Sequence, residues 1–328
     1  MRTIVLSVRT LVLICLFFAT ASRTQAQSIS LGNGKVEFGI GLGPLFFLGD
    51  LGGNTGVGTR FVKDVNLPVT NLQKGLFLNV YPAEWLGLRV AANHGVLEGY
   101  DSLIRDKGNA ETYRKTRNLQ FKSPLFEAYA AIEFYPTVFF EKYDGLQGKL
   151  RPYGVIGAGV FKFRPQGKYY APDGSSRWVD LQPLRLEGQG MAEYPTRKEY
   201  KLSSLEIPIG GGVKYYIKEN MYVGFEIMHR KSFTDYVDDV STNYIDNTLF
   251  ANYLTPEQAA MANQLYYREN FVPYGPQSSN APYLNEQRGN PKQNDSFFSS
   301  ILKLGWRLND WNSPNGRALR QLRCPAYY

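Results

Sequence analysis

Residues 205–246 read LEIPIGGGVKYYI, a polar turn KEN, MYVGFEIMHRKSF, and then an acidic and aromatic run, TDYVDDVSTNYID. In the first segment Leu205, Ile207, Ile209, Val213 and Tyr215 share one parity, and Glu206, Gly210, Gly212 and Lys214 take the other. In the second, Val223, Phe225 and Ile227 face one way, and Gly224, Glu226, Met228 and Arg230 the other. A period of two defines strands. The face opposite the apolar one is small or charged, which a soluble sandwich core would exclude. A strand pair with lipid on its apolar side and a filled polar lumen on the other satisfies both faces.

The same pattern recurs along the chain. Strands are predicted at residues 35–48, 72–82, 85–96, 119–135, 151–163 and 296–308, with the hairpin containing residues 205–233 following a long loop at 164–200. Phe38, Ile40, Leu42, Leu76, Leu78, Val80, Leu88, Val90, Phe126, Ile132, Phe134, Phe298, Leu302, Leu304 and Trp306 form the expected outer face. The strand at 151–163 has two apolar faces. Placing Lys162 inward puts Tyr153, Val155, Phe161 and Phe163 outside. The connections alternate in length, about 23, 2, 22, 15, 37, 4 and 62 residues, each uncertain by ~2–4. That alternation fits an eight-stranded transmembrane barrel with short periplasmic turns and long extracellular loops. A count of ten would require a hairpin hidden in residues 164–200 or 247–294. Within the longest loop, TPEQAAMANQLYYREN at 255–270 is predicted to be helical, with Pro256 in its first turn.

Composition agrees with a barrel. Tyr (23), Phe (20) and Gly (32) are abundant, while mean hydropathy is slightly negative, as expected where lumen and lipid residues alternate. Residues 1–26 read as a secretory signal: Arg2 and Arg9, an apolar stretch at 11–18, and Thr24-Gln25-Ala26 before the cleavage point. Cys15 lies in that stretch behind Ile14, a poor context for lipidation. Cleavage leaves Cys324 as the sole cysteine and no intrachain disulfide. The formal charge of +8 includes three leader arginines, so the mature chain carries +5. Its cations are scattered, without the basic stripe of a nucleic-acid binder. Residues 27–308 then form the barrel, and 309–328 a periplasmic tail. Arg317, Arg320 and Arg323 in that tail are candidate contacts for a protein partner.

The lumen is expected to hold Glu37, Glu127, Glu133, Glu206 and Glu226 against Arg89, Lys162, Lys214, Arg230, Lys303 and Arg307. An eight-stranded barrel has an interior just filled by side chains, and buried charges must pair. A plugging ion network is the expectation. The sharper alternative is a polar conduit or an acid–base pair such as Glu226 with Arg230. Asp235, Asp238, Asp239 and Asp246 form a weak candidate calcium site. They lack EF-hand spacing, and a structured loop at the barrel mouth is the simpler reading. Two histidines occur, His94 and His229, both near outer strand ends and facing lipid by parity. A lipid-modifying enzyme would need a nucleophile such as Ser232 beside one of them. No catalytic residue and no cofactor is expected.

Three blocks carry a resemblance: FFLGDLGG at 46–53, LQPLRLEGQG at 181–190, and FTDYVDDVSTNYID at 233–246. Together they resemble the DUF6089 outer-membrane β-barrel family of Bacteroidota-type bacteria. That family includes the PorG subunit of the type IX secretion system. The resemblance spans the first strand to the last and departs in the long loop at 247–294. A non-enzymatic structural or interaction barrel is the expectation, and the resemblance implies an association with type IX secretion, anchoring periplasmic components to the outer membrane. Other expectations from the sequence are a surface-binding barrel using the Tyr-rich loop at 234–295, a lipid-modifying enzyme and a small-solute porin.

Overall fold

A computed structural model describes residues 33–53, 70–104, 107–108, 111–141, 145–269, 271, 273 and 284–309. The expected leader, Cys324, Arg317, Arg320 and Arg323 lie outside the described residues. Ten strands are present: β1 (Asn33–Leu48), β2 (Asn71–Ala83), β3 (Leu86–Tyr100), β4 (Gln120–Phe134), β5 (Leu150–Phe163), β6 (Gln166–Tyr170), β7 (Ser176–Asp180), β8 (Ser203–Lys218), β9 (Met221–Ser232) and β10 (Ser296–Asn309). Helices α1 (Glu111–Arg117), α2 (Phe250–Tyr253) and α3 (Pro256–Tyr266) lie in the connections.

The sheet runs β3-β2-β1-β10-β9-β8-β5-β4, and β4 pairs back onto β3. This closes an eight-stranded barrel and removes every edge that lipid could not satisfy. The extra strands β6 and β7 form a hairpin in the connection between β5 and β8. The hairpin meets the barrel through one pairing, Lys122 with Gln166. A hidden hairpin therefore exists at 166–180, but it stands above the barrel and leaves the closed count at eight.

Side-chain polarity is inverted relative to a soluble protein. Leu76, Val90, Ile132 and Leu302 are 65, 61, 50 and 68 % exposed, whereas Glu133 and Lys214 are fully buried. Apolar residues outside and charges inside define a membrane barrel. Stacked rings mark both edges of the apolar band on β1 and β10: Phe38 with Trp306 at 5.5 Å and Phe46 with Phe298 at 4.6 Å. Eight residues separate each pair along its strand, about 20 Å of height for tilted strands. Short connections lie at one end, through Glu84-Trp85 and Glu219-Asn220, and the helices and hairpin at the other. Among the described residues, no helix is long and apolar enough to cross a membrane.

The inward parity of the lumen depends on glycine at close approaches. A Cβ at Gly39 would overlap the Phe77 ring, and one at Gly305 the Tyr222 ring. Large aromatic and charged side chains fill the space these glycines leave.

One facing assignment is corrected. Tyr153, Val155, Phe161 and Phe163 point inward and are buried, while Lys162 is exposed on the lipid side of β5. Both faces of this strand are apolar, so one lysine decided the parity. The lumen here is aromatic: Tyr153 donates to Glu226 at 2.6 Å, and Phe161 meets Phe297 edge-on at 5.5 Å. Lys162 lies at the extracellular end of its strand, where a lipid-facing cation is tolerated near the interface. Helix α3 is shorter than the predicted 255–270. Thr255 and Gln258 close a reciprocal capping box at its start.

Candidate functional site

The barrel interior and the loops above it hold the chain's concentrated polar chemistry. Toward the periplasmic end, Lys214 contacts Glu37 at 2.7 Å and Glu133 at 3.5 Å. Asn79 and Tyr81 donate to Glu37 at 3.1 and 2.9 Å. Below them Arg151 pairs with Glu84 at 3.1 Å and Glu141 at 2.8 Å, and Arg307 reaches Glu84 at 3.6 Å.

In the middle, Arg89 pairs with both Glu133 and Glu226, the latter at 2.7 Å. Lys303 meets the same Glu226 oxygen at 3.1 Å and lies 4.1 Å from the Phe77 ring centroid. Higher up, Arg230 pairs with Glu127 at 3.2 Å, and Asn93 donates to the same carboxylate at 3.3 Å. Glu206 is buried there beside Glu127.

Ten of the eleven expected lumen residues are thus buried inside the barrel; Lys162 is the exception. The suggested Glu226–Arg230 pair does not form. Glu226 is held by Arg89, Lys303 and Tyr153, while Arg230 serves Glu127. Both lie on β9, four residues apart: Glu226 meets Arg89 across the lumen and Lys303 on adjacent β10, and Arg230 meets Glu127 across the lumen while also donating to the Met228 carbonyl of its own strand at 3.0 Å. Sequence reasoning missed the periplasmic group of Glu84, Glu141 and Arg151, because these residues sit at turns and strand ends outside the alternating runs. It also missed the tyrosines that solvate the carboxylates, although Tyr81 and Tyr135 carried an inward parity.

Above the lumen, carboxylates join loops through backbone N–H groups. Asp238 accepts from Leu51 at 2.9 Å and Val240 at 3.0 Å. Asp101 accepts from Gly52 at 3.0 Å and Leu119 at 3.1 Å, and binds Arg117 at 2.8 Å. Glu187, within LEGQG, accepts from Ser241 at 2.9 Å and Thr242 at 3.0 Å, and pairs with Arg288 at 2.8 Å. Asp50 accepts from Asn290 at 2.6 Å, and Asp295 from Val237 at 2.8 Å. All four long connections enter this junction. Over it packs an apolar cluster including Leu51, Leu97, Phe121, Leu184, Leu186, Val237, Val240, Phe250 and Leu265. Together, among the described residues, they form a packed cap at the extracellular mouth.

Burial governs the cap acids. It pushes Asp235 up to about 9 against the pull of the Ser241 side chain. It pushes Asp239 up to about 7 although Arg288 and Tyr200 pull the other way. Burial likewise raises Asp238 and Asp295, with Asp50 adding repulsion to the former and Asp238 to the latter. Arg268 is lowered to about 10, because burial outweighs its aromatic surroundings.

The candidate calcium quartet is not one site. Asp235, Asp238 and Asp239 are buried, whereas Asp246 is exposed and accepts from the Thr248 N–H at 2.9 Å. Among the described residues, no group of three potential ligands stands ready for a metal ion. His94 is exposed on β3 between Lys74 and Phe126, and His229 pairs in register with Ile209 and Phe298. Ser232 faces inward, away from His229, and donates to the Asp295 carbonyl at 2.6 Å. Neither histidine has Ser232 as a neighbouring nucleophile.

This geometry defines the class: an eight-stranded transmembrane β-barrel of outer-membrane type, filled inside and capped outside. No protein-family model matches the chain, and no curated protein matches it. Solved structures similar to it include OprG of Pseudomonas aeruginosa, with 11 % identity, TM-score 0.35, and coverage of 84 % of this chain and 97 % of that one. Neisserial surface protein A gives 7 % identity, TM-score 0.34, and coverage of 83 and 97 %. The N-terminal barrel domain of Pseudomonas aeruginosa OprF gives 9 %, 0.29, and 84 and 98 %.

Proposed function

We propose that the chain is a non-enzymatic interaction barrel, closed to flux, that acts through its two ends. The observation carrying this reading is the continuous plug. Ion pairs occupy the lumen from the half-buried Glu84–Arg307 to the buried Glu127–Arg230, and the loop cap packs at the mouth above them. A side-chain-filled barrel of this size offers its surfaces rather than a pore. Reconstitution into planar bilayers tests this: background conductance is expected, and large stable single channels would overturn it.

The finer part of the proposal is an association with type IX secretion, anchoring periplasmic components as PorG-like barrels do. Its support is the likeness of the blocks at 46–53, 181–190 and 233–246. The structure gives those blocks a common physical role, since Asp50, Glu187, Asp238 and Asp239 all enter the cap junction. Contacts to periplasmic partners are assigned to the connection at 136–150 and to the tail with Arg317, Arg320 and Arg323. Deleting residues 318–328 should reduce co-purification of periplasmic secretion components from outer membranes. Unchanged recovery would remove the tail from the proposal.

A second reading is a surface-binding barrel that uses the 234–295 loop. It is favoured by the packed construction of that loop, where Phe250, Ala262, Leu265 and Tyr266 are buried against the cap. Excision that abolishes surface binding while sparing secretion would select it.

A further inference from the structure

The corrected position of Lys162 exposes a pattern on the outside of the barrel. Lys74 on β2 pairs in register with His94 on β3, His94 with Phe126 on β4, and Phe126 with Lys162 on β5. All four are exposed on the lipid side. They form one row across four adjacent strands. The row beneath it is Leu76, Ala92, Ala128 and Val160, and the next is Leu78, Val90, Ala130 and Ala158. Thus a basic row borders an apolar face whose middle strands carry small side chains.

A lipid-facing lysine is costly in the apolar band and becomes favourable at the headgroup level, where it meets phosphate. Neither Lys74 nor Lys162 forms an ion pair among the described residues. The nearest outward acid on these strands is Glu98, four residues beyond His94, and it faces Lys122 in register. Lys74 and Lys162 are three strand spacings apart, about 14 Å along a row that the strand tilt inclines to the membrane plane. His94 and Phe126 lie between them, a hydrogen-bonding imidazole and a flat ring.

We infer that the β2–β5 face is a binding site for an outer-leaflet glycolipid bearing two phosphates. One phosphate meets Lys74 and the other Lys162, the sugar core lies over His94 and Phe126, and acyl chains descend over Ala92, Ala128, Ala130 and Ala158. Charge complementarity and continuity with the apolar band select this occupant over a second barrel, which would have to bury two unpaired lysines.

The test uses the full chain in detergent micelles and three probes: a hexa-acylated glucosamine disaccharide lipid in bisphosphorylated, monophosphorylated and dephosphorylated forms. Native mass spectrometry should show binding weakening roughly fivefold with each phosphate removed, as expected for one lysine–headgroup contact apiece. Lys74→Gln or Lys162→Gln should each reduce the bisphosphorylated preference to the monophosphorylated level, and the double variant should abolish it. In wild-type protein the bisphosphorylated lipid should protect both lysines from amine-reactive labelling, a readout that requires no variant. Equal binding of the dephosphorylated lipid would overturn the inference. So would an unaffected double variant, absence of labelling protection, or protection arising from lipid-free dimerisation.

Discussion

The Arg89 side chain is fully buried and bridges two carboxylates, Glu133 on β4 and Glu226 on β9. Removing one partner of a buried ionic group leaves charge that the interior cannot solvate. Arg89→Ala should therefore cost about 3–5 kcal/mol in denaturant unfolding from micelles. The cap acids obey a different rule. Their unfolded-state reference is 3.8, and burial raises Asp239 to about 7 and Asp235 to about 9. The folded cap therefore binds more protons than the unfolded one between these values. Its stability is fullest below pH ~4 and declines as pH rises through 7 and toward 9. Protease cleavage within 234–295 should accelerate from pH 5 to pH 9, and Asp235→Asn with Asp239→Asn should flatten that dependence. A pH-independent cleavage rate would contradict the burial of these acids.

At the scale of elements, α3 offers a local test. Thr255 accepts from the Gln258 N–H while the Gln258 side chain accepts from the Thr255 N–H. Thr255→Ala should cost about 1 kcal/mol of local stability, seen as faster amide exchange at Ala259 and Ala262 with the barrel strands unchanged. The elements also show which features the sequence could express. β8 and β9 were legible because one face is aliphatic and the other is charged or glycine. β5 was not, since Gly154, Ile156, Ala158 and Val160 are as compatible with lipid as Tyr153 and Phe161 are with an aromatic lumen. The β6–β7 hairpin was hidden because QGKYY and SRWVD have no clear apolar parity. The cap junction was hidden for another reason. Asp50, Asp101, Asp238 and Asp295 bind backbone N–H groups, which every residue except proline carries, so their partners leave no trace in the sequence.

For the whole molecule, plug and cap are built from separate parts of the chain. The ion pairs of Arg89, Lys214, Lys303 and Arg230 lie in strands, whereas the cap is built from connections. Excising residues 247–284 should leave bilayer conductance at background, provided the barrel retains its heat-modifiable migration in gels. Conductance appearing on excision would mean that the cap, and not the lumen, closes the barrel.

The junction between Asp50 and Asn290 joins positions 240 residues apart, and Ser296 reaches the Leu48 carbonyl across 248. Contacts of such separation form late, after the intervening chain has been organised. The cap therefore cannot lock until β10 has met β1 and the barrel has closed. Its protease resistance becomes a clock for assembly: a chain inserted but still open would lose its loops to degradation, and a closed one would keep them.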